Sequence, residues 1–321
     1  MPHNQSARLI RIGLIPITLV FLIFSGSQWR TLAVDGWIKF LIGCSFNTYF
    51  FQTLVWGMAS EPYYKLADPN PTGSIFDRLS FAISLHSSPR GIGWSFGVPV
   101  KASNQTRIKF LYDTLRRLSF NLLIIASSSI SLGVININPS APSLLLRYLM
   151  TFFVGTLAWT VLDSAGCIIR LFALAFNQDL SEYPFFLDSP IQGTNLADFW
   201  SRRWHSLLKH VFVEVGGRPI EGLVRHCVGD GILSRTCLIL GTFTVSGLEH
   251  EFSLWFATSL EKSFRTTLFF FAQGLGVILE AFFFRKTGKK VGGWIGRVWM
   301  FFWLIFWGRF MIDALIEKGV V

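Results

Sequence analysis

The chain has 321 residues, of which 51% are hydrophobic and only 15% charged. Soluble domains average about a quarter charged residues, so this composition, with 33 Phe and 12 Trp, excludes an ordinary soluble domain and indicates an integral membrane protein. The net charge of +10 is scattered among apolar runs, which excludes a basic, aromatic-interleaved nucleic-acid surface and fits loops held at one face of a bilayer.

Apolar runs of spanning length fall at 9–24, 32–58, 119–136, 144–177, 232–258, 263–284 and 294–316. The first follows a basic start, as in a signal peptide, but Gly26 and Ser27 make a weak cleavage site, so it reads as a helix that stays. The run 144–177 has the length of one tilted helix or two short ones. Pro69, Pro71, Pro139, Pro142 and Pro190 all lie between runs, as helix breakers should. Cys44, Cys167, Cys227 and Cys237 lack close paired spacing and read as buried thiols rather than a disulfide framework or zinc site.

Charge sets the expected topology. The connection 59–118 carries eight Lys and Arg, 178–231 carries five and 285–290 carries four, whereas the alternate connections are nearly bare. Counting 144–177 once puts every basic connection on one side. The positive-inside rule makes that side, and the N-terminus, cytoplasmic. The expectation is an all-α, multi-pass protein of about seven spans (seven to nine), a single domain over 1–321.

Two of the basic connections carry more than charge. The stretch "SSPRGIGWSFGVPV" (87–100) is Gly-rich and aromatic and reads as a packed loop. The stretch "TNLADFWSRRWHSLLKHVFVEV" (194–215) reads as one amphipathic helix with Asn195 as its cap and Asp198 in its first turn. Trp200, Trp204, Leu208 and Val211 would form its apolar stripe, and Arg202, His205 and Lys209 its polar one. A surface anchor and a functional site are both open for it.

The run 232–258 contains "SGLEHEF" (246–252), with Glu249, His250 and Glu251 in succession. A charge at the bilayer centre costs roughly 3 kcal/mol, so such residues face a cavity or one another. Successive helical positions point about 100° apart, so the three cannot share a face. Ser246 and Gly247, one turn earlier, leave room for a second backbone or a ligand. His250, the one histidine of six inside an apolar run, suits a general base that removes a proton from an alcohol. The alternatives are a structural polar network, a proton relay in a transporter, or a metal site. Only Asp163 and Glu280 could add strong ligands at similar depth, so no metal is expected. No G-x-S-x-G elbow is present.

"DFWSRRWH" (198–205), followed about 45 residues later by "SGLEHE" (246–251), resembles the paired signature of membrane-bound O-acyltransferases, closest to their wax-synthase-like branch. "PRGIGW" (89–94) is similar to a segment of fungal members that acetylate terpenoid and polyketide-terpenoid hydroxyls in secondary metabolism. The three pieces agree in order and spacing over about 85–290. The resemblance implies a helical membrane fold enclosing a tunnel in which an acyl-CoA meets an alcohol, and a location in the endoplasmic reticulum. It places the catalytic histidine at His250 and the second polar signature residue, often Asn, at His205.

The function expected on that basis is transfer of an acyl group from acyl-CoA, with acetyl-CoA the expected donor, to a hydroxyl of an apolar metabolite. His250 is the expected base and His205 the residue that orients the thioester or steadies the oxyanion. Arg202, Arg203 and Trp204 are candidates to bind CoA, while Ser246, Glu249, Glu251 and Trp200 are candidates to line the substrate path. With no placed nucleophile, direct transfer in a ternary complex is simplest, without a tightly bound cofactor. A long-chain acyl donor and a proton- or ion-coupled transporter are the alternatives. No inverted repeat is evident, which weighs against transport.

Overall fold

The computed structural model describes residues 5–31, 33–67, 74–88, 90–97, 105–136, 143–204, 207–258 and 264–320. Its helices, in chain order, are α1 (Gln5–Arg30), α2 (Gly36–Met58), α3 (Ile75–His86), α4 (Arg107–Asn136), α5 (Leu144–Ala175), α6 (Leu196–Asp198), α7 (Lys209–Phe212), α8 (Arg218–Val228), α9 (Ile232–Ala257), α10 (Arg265–Thr287) and α11 (Gly293–Glu317). Among the described residues there are no strands, only one antiparallel bridge between Lys65 and Trp94. The protein is all-α and reads as integral to a membrane.

Each of the seven apolar runs is a long helix. Five are long and apolar enough to cross a membrane: Arg8–Trp29, Arg107–Ile135, Leu144–Ala175, Arg265–Thr287 and Gly293–Glu317. The run 144–177 is thus one helix and counts once. The other two runs form α2 and α9, of 23 and 26 residues. At about 1.5 Å per residue both exceed a ~30 Å core. They fall short in apolarity, because α2 carries Asn47 and Gln52 and α9 carries the Glu249–Glu251 triplet.

Local signals account for several helix ends. Ser74 and Asp77 form a reciprocal capping box at the start of α3. Ser143 caps α5 by accepting from the Leu146 amide. Helix α10 closes on Gly288, whose φ of 68° is the left-handed conformation a glycine adopts without strain.

The chain divides into two compact units, 1–63 with 208–291 and 307–321, and 64–207 with 292–306. In the first, α9 is the central element, packed by α1, α2, α7, α8 and α10. Glycine allows two of these approaches. A Cβ at Gly43 of α2 would lie 3.0 Å from the Ser253 Cα of α9, and one at Gly247 of α9 would lie 2.7 Å from the Thr267 Cα of α10. The space expected beside Ser246 and Gly247 is therefore filled by a second backbone.

In the second unit α4 packs along α5, and four arginines gather the segment 183–189. Arg90 donates to the Phe185 and Phe186 carbonyls, Arg117 to that of Leu187, Arg170 to that of Tyr183 and Arg203 to those of Asp188 and Ser189. The Phe185 ring lies between the Arg117 and Arg170 guanidiniums, 4.3 and 4.0 Å from its centre. Arg117 is itself fixed by Asp163, through Nε at 2.6 Å and a terminal nitrogen at 2.8 Å. The loop predicted around "GIGW" is packed as expected. Trp94 is buried edge-on against Phe81, and Tyr64 and Leu66 pair with the backbone of Gly93 and Ser95. Pro89 and residues 98–100 lie outside the described residues.

Candidate functional site

The stretch 194–215 is not the single regular helix its periodicity predicts. Asn195 does cap its start, accepting from the Asp198 amide at 2.7 Å. Helix α6 then passes into a π-turn at Phe199–Trp204, and α7 passes into a second at Val213–Gly217. Tertiary pulls explain both departures. Arg203 turns inward, with its Nε on Asp198 at 2.6 Å and a terminal nitrogen on the Asp188 carbonyl at 3.0 Å. Gly216 and Gly217 bring the second π-turn so close that a Cβ on Gly216 would lie 2.4 Å from the Gly241 carbonyl of α9. The wider i→i+5 turns shift side-chain direction, yet Trp200, Trp204 and Leu208 are half-buried and Val211 buried, while Arg202 and Lys209 are exposed.

Within the second unit the residues of this segment divide by environment. Arg203 is buried and spent on Asp198 and two carbonyls. Arg202 pairs with Asp198 at 2.8 Å, while its side chain remains 60% exposed. Burial alone would raise the Asp198 carboxyl, but the hydrogen bonds and charges of Arg203 and Arg202 outweigh it and hold that group below the usual carboxylate range. Trp204 stacks on Phe199 at 5.6 Å, and Trp200 meets the same ring edge-on at 5.1 Å. His205 lies outside the described residues.

Within the first unit the triplet on α9 separates into two tasks, as the 100° offset requires. Glu251 turns to α10, where its carboxylate accepts from the Thr267 amide at 3.2 Å and hydroxyl at 3.4 Å. Thr267 is in the first turn of α10, so Glu251 serves that helix as an N-terminal anion supplied by its neighbour. Glu249 turns to α2. Asn47 donates to the Glu249 carbonyl at 3.1 Å and to Ser253 Oγ at 3.0 Å. Ser253 Oγ donates to the same carbonyl at 2.8 Å, and the Cys44 thiol bonds Ser253 and Glu249.

His250 stands between these tasks. Its Nδ1 lies 2.8 Å from the Ser246 carbonyl and 2.8 Å from Glu249 Oε2. Nδ1 has one hydrogen to give. Glu249 Oε2 receives no well-aligned bond, so the hydrogen points at Ser246 and the carboxylate acts as an adjacent negative charge. Two acceptors at Nδ1 place the neutral ring's proton there and leave the lone pair on Nε2. The ring is held 4.4 Å from Phe270 and 6.3 Å from Phe40, centre to centre, with 14% of its side chain exposed. That is the electronic state a general base needs, in a largely desolvated setting.

Residues 183–272 match the membrane bound O-acyl transferase family. The matched segment opens at the arginine-held loop, contains both predicted signatures and ends just past Thr267. The chain is also similar to a probable long-chain-alcohol O-fatty-acyltransferase 8 of Arabidopsis thaliana, at 28% identity over 59% of this chain and 54% of that protein. It is similar to a long-chain-alcohol O-fatty-acyltransferase of Simmondsia chinensis, at 26% identity over 54% of this chain and 47% of that protein. The aligned part spans about half the length of these curated relatives.

The structure brings Ser246, Glu249 and His250 together and turns Glu251 away from them. Arg202, Arg203, Trp200 and Trp204 belong to the other unit. Sequence reasoning missed Asn47, Cys44 and Ser253. The available signal was a polar residue, Asn47, inside an apolar run. Its partner stands 202 positions away, and no local pattern supplies that pairing.

Proposed function

We propose that the protein is an acyl-CoA-dependent O-acyltransferase acting on a hydroxyl of an apolar molecule. The observation that carries this reading is the Nδ1-bound state of His250 beside Glu249. In the proposed reaction Nε2 takes the proton of the acceptor hydroxyl as its oxygen bonds to the thioester carbonyl carbon. The tetrahedral oxyanion collapses with loss of the C–S bond, and the proton on Nε2 passes to the departing CoA thiolate. Glu249 steadies the imidazolium formed between those two steps. His205 is assigned the thioester or oxyanion contact by resemblance. Of the two arginines, Arg202 is assigned to the CoA phosphates, because Arg203 already donates to Asp198 and two carbonyls.

Two donors fit this chemistry. The likeness of "PRGIGW" to acetylating fungal members supports acetyl-CoA and a terpenoid-type acceptor. The names of the relatives support a fatty acyl donor and a long-chain alcohol. Purified protein in detergent, offered acetyl-CoA and palmitoyl-CoA with a panel of alcohols, tests both readings. Alcohol-dependent CoA release with an ester identified by mass supports the acyltransferase, and the preferred donor selects between the two. No release and no ester with either donor contradicts it.

A further inference from the structure

We propose that α8 is a membrane-bound edge of the protein, with its apolar side in the acyl chains of one leaflet and its charged side at the level of the headgroups. The helix is too short to cross a bilayer, yet its sequence "RPIEGLVRHCV" is sharply two-sided. Ile220, Leu223, Val224, Cys227 and Val228 recur at helical spacing along one side, opposite a charged side on which Arg218 pairs with Glu214 and Arg225 with Glu221 and Asp230, with His226 beside them. No residue of α8 is buried. Leu223 and Val228 are 66% and 68% exposed, and Cys227 is exposed too, contrary to its expected burial.

The packing of α8 fixes its depth. Ile220 reaches Gly241 of α9, while the link 229–231 returns the chain directly into Ile232, so α8 doubles back along the first turns of α9. Helix α9 runs antiparallel to α10, with Gly247 against Thr267 and Gly274 against Phe243 and Leu240. Carried along the helices, that register sets Ile232 level with Phe282 and the α8–α9 link level with Arg285 and Lys286. This is the end of a span, where exposed Phe282, Phe283 and Phe284 give way to basic residues. Lys286 and Lys290 fold back over Phe282 and Phe284 at 5.7 and 6.0 Å, as side chains do at a lipid boundary.

The apolar edge of α8 also continues into Ile232 and Leu233 of α9, 59% and 53% exposed. The exposed cations of the same end, Arg235, Arg285 and Lys289 among them, complement phosphate headgroups and would repel a basic partner. Amphipathic helices with such a stripe lie at the headgroup–acyl boundary.

Cys227 lies on the stripe and serves as the reporter. The full-length protein, labelled there with an environment-sensitive fluorophore, is placed in phosphatidylcholine nanodiscs, with the Cys227→Ser protein giving the background. The expected result is blue-shifted emission, quenched by lipids spin-labelled near the headgroup and little by aqueous iodide. Leu223→Glu, at an exposed position that leaves the packing on α9 intact, should remove the shift and open the probe to iodide. Quenching by iodide as strong as in the denatured labelled chain overturns the proposal. Protection from iodide without quenching by spin-labelled lipid also overturns it, because a protein partner or a second copy would then cover α8.

Discussion

Glu249→Gln isolates what the carboxylate gives His250. The main α2–α9 bonds survive the change, because Asn47 and Ser253 donate to the backbone carbonyl of residue 249. In the side chain, the 3.3 Å approach of Ser253 to Oε1 and the Cys44 thiol contact are at stake, and an amide can keep both. The effect should therefore fall on the imidazolium that forms in the reaction. Two unit charges about 4 Å apart at an effective dielectric of about 20 interact by ~4 kcal/mol, a ceiling of roughly 10³ in rate. The amide keeps a dipole at the same place, and the gap between a charged and a neutral acceptor is about 1.4 kcal/mol. The expected loss is about tenfold in turnover, with Glu249→Ala falling further toward the ceiling. Single-turnover ester formation by monodisperse protein measures it, with the melting temperature recorded alongside. Unchanged turnover in Glu249→Gln, or a fall in melting temperature with normal turnover, would refute the electrostatic role.

Three further outcomes follow from the packing. Asp163→Ala removes a buried carboxylate that accepts from Arg117 and Asn121 and should cost about 3 kcal/mol, the low end for a broken buried pair because Arg117 keeps 20% exposure. A melt matching wild type, or no recovery on adding Arg117→Met, would count against it. Gly247→Ala sets a Cβ 2.7 Å from the Thr267 Cα and should destabilise by about 1–3 kcal/mol, read as a lower melting temperature. Asp198 is held below its ordinary pKa, so its contribution is full above about pH 4 and lost as pH falls through the lowered value. The melting-temperature gap between wild type and Asp198→Asn should begin to narrow below about pH 4 and close once the pH is under the lowered folded value, and a gap that does not narrow on acidification contradicts the Arg203 pairing.

The helices were legible because hydrophobic run length and breaker placement are local properties. Asn195 as a cap was legible for the same reason. The segment around the two π-turns was not, since the inward turn of Arg203 and the contact of Gly216 with Gly241 depend on partners distant in sequence. The site was half legible. A lone histidine between carboxylates in an apolar run marks a candidate site, and the 100° rule requires its neighbours to part. Which carboxylate serves His250 and which caps α10 depends on Asn47 and Thr267, and neither is visible from α9 alone.

The most direct test is turnover by folded His250→Ala. Removing a general base should cost about 10² to 10⁴ in rate, and His250→Asn should recover none of it, since an amide cannot take the proton. The account predicts that loss in protein that remains monodisperse and melts near wild type. Near-wild-type ester formation by folded His250→Ala would contradict it.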